Sequence, residues 1–222
     1  STDSQAARYK AIVVEADSGK VLFSRNADGR HYPASLAKLM TLYLVFEAVE
    51  AGSLSFEKRL RVSKRAAGQT PSRIGLKPGR TIPVEDAILA VVTKSANDAA
   101  TVLAEGISKT EVKFAKKMTA TAKRLGMKNT IFRNATGLPN RRQISTARDM
   151  AVLAQALMSE FPQYYHYFST KQFTWGKRTY QNHNKLLKTY SGVDGLKTGY
   201  IRAAGFNIAT SAQRDGRRVI GI

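Results

Sequence analysis

The segment from Ser35 to Glu50 limits the possible folds more than any other part of this chain. Its apolar residues, Leu36, Leu39, Met40, Tyr43, Val45, Phe46 and Val49, fall nearly all round a helix, and Gly52 is placed to end it. A helix with no polar face has to be wrapped by other elements, so this segment is expected at the centre of the core. With 222 residues the chain is long enough to supply that wrapping as one domain or as two interleaved subdomains.

The wrapping elements can be read in turn. Ala11-Ile12-Val13-Val14, Asp17-Ser18-Gly19 and Val21-Leu22-Phe23 form a strand, a turn and a second strand, which is a hairpin. Lys77-Pro78-Gly79 is a turn; Pro83 opens a helix to about Val92, with Glu85 and Asp86 suited to its positive end. Asn97 to Ile107 and Thr110 to Leu125 are two further helices, the second with Ala115, Met118, Ala122 and Leu125 as its apolar stripe and Gly126 as its stop. Thr146 with Asp149 starts a helix from Ala147 to Met158 in the manner of a capping box. Beyond Pro162 the aromatic and β-branched character of Phe173–Trp175, Leu196–Thr198, Phe206–Ala209 and Arg218–Ile220 returns the chain to strands. The expected architecture is α+β: one mainly antiparallel sheet built from both chain ends and flanked by helices, with a mainly helical region over roughly 53–150 inserted.

Composition narrows the function classes. No apolar run reaches the roughly 20 residues that a membrane-crossing helix needs. The absence of cysteine excludes disulfides and thiolate metal sites. Ser1 to Ala7 is small and polar, with no basic and apolar leader, so a secretion signal is expected to have been removed already. The net charge of +20 predicts attraction to polyanions. Its cations are scattered, however, through Lys58–Arg65, Lys113–Arg124 and Arg141–Arg142, without a helix-turn-helix, zinc-finger or RNP pattern. Specific nucleic-acid binding is therefore not expected; solvated basic faces able to touch anionic wall polymers or a membrane surface non-specifically are.

Three short motifs carry chemistry. In Ser35-Leu36-Ala37-Lys38 a helix puts i and i+3 on one face, so Lys38 can reach the Ser35 hydroxyl and activate it. To act as a base near neutral pH, Lys38 must drop from about 10.4 by roughly 3 units, about 4 kcal/mol, which desolvation in its apolar surroundings can supply. Ser95-Ala96-Asn97 sets a hydroxyl and a carboxamide between two helices, fit to move a proton and to hold a substrate backbone. Lys197-Thr198-Gly199 lies on a strand whose alternation turns Lys197 and Gly199 to one face; lysine and threonine suit a carboxylate, and glycine leaves room for a ligand. Taken singly, each is as readily a cap, a loop or a turn: a serine N-cap with a snorkelling lysine, an asparagine N-cap, a solvated lysine before a turn glycine.

Together and in this order they are the Ser-x-x-Lys, Ser-x-Asn and Lys-Thr-Gly set of penicillin-binding proteins. The longer strings Pro33–Thr41, Gly75–Gly79, Thr93–Ala100, Asn134–Leu138 and Val193–Tyr200 resemble the low-molecular-mass D-alanyl-D-alanine carboxypeptidase family of serine DD-peptidases, over nearly the whole chain. The resemblance implies a single catalytic domain over 1–222 of the DD-peptidase and β-lactamase-like fold. It implies an enzyme that removes the terminal D-Ala from peptidoglycan stem peptides through a Ser35 acyl-enzyme, is inhibited covalently by β-lactams, works outside the cytoplasm in the periplasm, and uses no metal or cofactor. Ser35 would be the nucleophile, Lys38 its base, and Ser95 and Asn97 the groups for proton transfer and positioning. Lys197, Thr198 and Gly199 would form the strand beside the peptide, and the Ser35 and Tyr200 amides an oxyanion hole.

Departures accompany the resemblance. Ile201 stands where the family commonly has threonine, and the strand, helix, β-rich domain and anchor usual after Ile222 are not in this sequence, so either Arg202 or Thr198 alone meets a substrate carboxylate or the chain is truncated after Ile222. Asn184, Leu186 and Leu187 resemble a family segment, with His183 beside them as a weaker binding candidate. A class A β-lactamase is disfavoured because no Glu-x-x-Leu-Asn string lies between Asn129 and Gln143. A DD-endopeptidase or transpeptidase of the same family remains an alternative, as does a non-catalytic basic peptidoglycan-binding protein.

Overall fold

The computed structural model describes residues 9–222. The apolar helix is where its pattern requires: α1 (Ala37–Glu50) is buried along nearly its whole length, with Leu39, Met40, Leu42, Tyr43, Leu44, Val45 and Phe46 fully enclosed. It begins two residues later than expected, because Ala34–Leu36 form a 3-10 turn that precedes the α-helix and carries Ser35. Gly52, at φ +68°, closes the other end as expected.

Both chain ends build the main sheet. Strands β1 (Ala11–Glu15), β2 (Val21–Arg25), β7 (Val193–Ile201), β8 (Gly205–Arg214) and β9 (Arg217–Gly221) form an antiparallel five-stranded sheet in the order β2-β1-β9-β8-β7. Two-residue registers such as Val14 opposite Ile220 turn Ile12, Val14 and Ile220 inward, where a long helix, α6 (Ala147–Glu160), packs against β1, β8 and β9. Alternation does the rest: the period of two in each strand supplies one apolar face to that helix layer.

On the other side of α1 lie α2 (Lys64–Ala67), α3 (Val84–Lys94), α4 (Asn97–Ser108) and α5 (Glu111–Arg124), with a small sheet of β3 (Arg59–Arg61) and β4 (Thr81–Pro83). The expected cap at Thr146 is present, accepting from the Asp149 amide, and Thr110, read as the first residue of its helix, is instead a cap that accepts from the Lys113 amide. Pro83 is the residue before α3 and not its first turn, and α3 extends to Lys94. Asn97 is the first residue of α4; Ala96 occupies the cap position, so the carboxamide is free for another use. The one strand assigned to the wrong partner is Phe173–Trp175. It belongs to β5 (Gln172–Trp175), which pairs only with β6 (Arg178–Gln181) in a separate hairpin, because strand propensity specifies an extended backbone and not which neighbour completes the ladder. A short helix, α7 (Leu186–Thr189), leads from there into β7.

Candidate active site

The three motifs converge on one cleft of about 580 Å³, lined by Ser35, Ser95, Asn97, Thr136, Gly137, Leu138, His183, Thr198 to Ile201 and Phe206 to Ile208, with Pro71 and Ser72 on the far wall. Lys38 and Lys197 lie behind that lining, fully buried. Arg202 does not reach it; it is exposed at the tip of the β7–β8 hairpin.

Lys38 is the centre of the site. Its Nζ lies 3.1 Å from Ser35 Oγ, 2.7 Å from Asn97 Oδ1 and 2.5 Å from the Thr136 carbonyl oxygen. Burial holds its pKa well below the usual lysine value, and the nearby charge of Lys197 lowers it further against the opposing pull of Asp98. A neutral amine has two N–H donors and one lone pair. The Thr136 carbonyl can only accept, and so can Asn97 Oδ1, whose orientation is fixed because Asn97 Nδ2 donates to the Thr70 carbonyl at 2.8 Å. Both N–H donors are therefore engaged, and the lone pair is left for the Ser35 hydroxyl proton. This arrangement can deprotonate a serine.

Two backbone strains frame that pair. Ala34 at φ +49° and Ser95 at φ +57° both occupy the left-handed region without being glycine, a conformation that costs roughly 1 kcal/mol or more each. Ala34 bends the chain immediately before Ser35, and Ser95 bends it between α3 and α4 so that its buried Oγ, which has no hydrogen-bond partner among the described residues, lines the cleft. A buried hydroxyl without a partner is costly, and one that faces a cleft is available to a ligand.

The Ala34–Leu36 turn is held from two sides by glycines. A Cβ on Gly137 would come within 1.8 Å of the Ala34 carbonyl oxygen, and one on Gly199 within 2.9 Å of the Ser35 amide nitrogen. Gly199 lines the cleft, where it was expected to leave room for a ligand, and it also admits the serine turn against β7; Thr198, Tyr200 and Ile201 line the cleft beside it. Strand alternation is as expected, with Lys197 and Gly199 buried and Tyr200 exposed. Lys197 Nζ donates to the Thr198 carbonyl at 2.7 Å, and burial lowers its pKa to about 7.

Supporting contacts come from residues that carry no motif. Asp98 is fully buried and accepts from the amides of Ile74, Gly75 and Leu76 at 2.9 to 3.2 Å, which fixes the loop behind Pro71 and Ser72. Glu111 accepts from the Ala135 amide, and Thr41 donates to the Ala135 carbonyl, so the loop that presents Thr136 is pinned to α5 and α1. Asn134 Oδ1 closes the same loop on the Gly137 amide. Asn134 and Asp98 sit inside strings already singled out, but nothing local says that the partners of Asp98 are backbone amides more than twenty residues away. Asn184 is structural: buried, it donates to the Gly195 carbonyl and ties α7 to β7. His183 stands at the cleft rim; desolvation of its ring, then the charges of Lys197, Lys94 and Lys38, bring its pKa to about 4 and keep it neutral at pH 7. Among the described residues no cluster of His, Asp and Glu could hold a metal ion.

Comparison with known proteins agrees with this geometry. Residues 1–222 match the family described as D-alanyl-D-alanine carboxypeptidase. The chain is 38% identical to the D-alanyl-D-alanine carboxypeptidase DacF of Bacillus subtilis, across 96% of this chain and 56% of that protein. It is 37% identical to DacA of Escherichia coli K12, across 94% and 54%. The crystal structure of DacD from Francisella tularensis superposes with a TM-score of 0.92 at 30% identity, covering 96% of this chain and 64% of that one. Penicillin-binding protein D2 of Listeria monocytogenes in its cefotaxime-bound form gives a TM-score of 0.85 at 36% identity, covering 96% and 87%. The chain spans about half the length of the curated relatives it matches. A mixed fold with its sheet built from both ends, a serine beside a buried lysine and a match along the full sequence lead to one assignment: the chain belongs to the D-alanyl-D-alanine carboxypeptidase family.

Proposed function

We propose that this chain is the catalytic domain of a serine-type D-Ala-D-Ala carboxypeptidase acting on peptidoglycan stem peptides outside the cytoplasm, with β-lactams as covalent inhibitors. The observation that carries the reading is the lone pair of a desolvated Lys38 directed at Ser35 Oγ. Lys38 takes the Ser35 proton as Oγ bonds to the carbonyl carbon of the penultimate D-Ala. The Ser35 and Tyr200 amides receive the developing oxyanion, a role in which one donor is worth about 2.7 to 4 kcal/mol. Ser95 Oγ, unpaired among the described residues, passes its proton to the leaving amine and is reprotonated by the Lys38 ammonium, so that D-Ala departs and Lys38 is neutral again. Lys38 then takes a proton from water as the water oxygen bonds to the Ser35 ester carbon, and returns it to Ser35 Oγ as the ester breaks. Asn97 holds Lys38 from behind and positions the peptide, while Thr198 and the cationic form of Lys197 receive the terminal carboxylate. A docked carboxylate raises the Lys197 pKa above its value of about 7, so substrate completes the charge it needs. The cefotaxime-bound state of the Listeria relative supports the β-lactam assignment.

The test is intact-mass spectrometry after incubation with penicillin, followed by release of D-Ala from a free pentapeptide. One adduct on the Ser35 peptide is expected. Lys38→Arg, which replaces the neutral amine by a group that cannot act as a base, should remain folded and lose acylation by several orders of magnitude. Adduct formation at another residue, or an Arg variant that acylates at the wild-type rate, would remove the assignment.

A further inference from the structure

A second groove of about 470 Å³ lies along the outer side of α5, apart from the cleft, lined by Val112, Ala115, Lys116, Thr119, Ala120, Lys123, Ile131, Phe132 and Arg133. Two helical rows form one wall, Val112-Lys116-Ala120 and Ala115-Thr119-Lys123, each spaced by four residues. The other wall is the extended segment 131–133. Thr119 Oγ1 binds both the amide and the carbonyl of Phe132 at 3.0 and 3.1 Å, so the two walls are fixed to each other and the groove is preformed.

Its chemistry is mixed in a specific way. Ala115 and Phe132 make an apolar floor and Val112, 64% exposed, stands at its edge, one of few large apolar side chains so open to water. Lys116, Lys123 and Arg133 rim it, all exposed. Among the described residues none of these three has an acidic partner; Glu111 is taken by Arg65 and the Ala135 amide, and Glu47 by Lys117 and Arg124.

We propose that this groove is a docking site for an acidic protein segment that presents an apolar side chain between carboxylates. A plain phosphate polymer would have no use for the apolar floor, and an uncharged apolar helix would leave three cations unmatched; a segment with both features satisfies each part of the surface. The site is independent of the reaction proposed for Ser35.

The probe is a short fluorescein-labelled glutamate peptide carrying two leucines one helical turn apart, compared with the same peptide having serine for leucine and with polyphosphate. Fluorescence anisotropy on the whole chain should show the leucine peptide binding at least about tenfold more tightly than the serine peptide, with polyphosphate unable to displace it in proportion to its charge. Lys116→Glu with Lys123→Glu should weaken the leucine peptide by about tenfold or more, while Lys58→Glu with Arg61→Glu, an equal charge change in and just before β3, leaves it nearly unchanged. Penicillin labelling of Ser35 reports folding of each variant and separates failure of this site from failure of the catalytic reading. Equal affinity for the serine peptide, dominant polyphosphate binding, or equal effects of the two charge reversals would overturn the proposal in favour of diffuse electrostatics.

Discussion

Lys197 is a residue whose burial opposes folding. An ammonium withdrawn from water, with the Thr198 carbonyl accepting from it, loses its proton at about pH 7 in the native state, against about 10.4 when unfolded. Between those values the unfolded chain binds more protons, so stability rises as pH increases from 7 toward 10; below 7 the deficit is constant, at about 4 to 5 kcal/mol. Lys197→Met should therefore be more stable than the wild type near pH 7 by a few kcal/mol, with the difference shrinking toward pH 10, as read from urea midpoints across that range. The same variant should lose binding of peptides with a free terminal carboxylate far more than acylation by an ester lacking one. A gap independent of pH would mean that Lys197 is charged in the native protein. Residues such as Ser35, Lys38, Asn97 and Lys197 were legible in the sequence because reactive side chains recur at fixed spacings. The Thr136 carbonyl, the third partner of Lys38, was not, since a backbone oxygen has no letter of its own, and neither was the fit of Gly199 against the serine turn, because that neighbour is far away in the chain.

Among the elements, the loop of residues 70–76 depends on α4. Asp98 directs its carboxylate to three successive loop amides, while Asn97 binds Thr70 and Ser72 through its side chain and amide. Asp98→Asn would place an amide NH2 among N–H donors, leaving buried groups unpaired. We expect a loss of about 2 to 4 kcal/mol in urea unfolding, and slower penicillin acylation even at temperatures where the variant is folded, because the wall formed by Pro71 and Ser72 is released. Unchanged acylation in the folded variant would show that the loop does not shape the cleft. Helices such as α1, α5 and α6 were legible to within a few residues because their caps and periodicity are local. The hairpin of β5 and β6 was not assigned correctly, and β3 and β4 were missed, since pairing of short strands is decided by tertiary neighbours.

For the whole molecule, the charge of +20 acts through many exposed side chains, few of them paired, and such attraction is screened as the Debye length falls from about 10 Å at 0.1 M salt to about 3 Å at 1 M. Co-sedimentation with isolated cell-wall sacculi should collapse over that salt series while turnover of a small peptide changes little, because the Ser35 and Lys38 pair is enclosed. Salt-resistant sedimentation would point to a specific contact instead. The sheet order β2-β1-β9-β8-β7 has a consequence of another kind, in time. Strand β9 lies between β1 and β8, which are far apart in sequence, and the turn carrying Ser35 rests on Gly199 of β7. A growing chain therefore holds its serine and lysine for most of its length without the surface that aligns them, and long-range pairing of this sort is slow. Pairing of β7 into the sheet and alignment of the Ser35 turn are thus one event, because the surface that seats the serine is part of the strand itself.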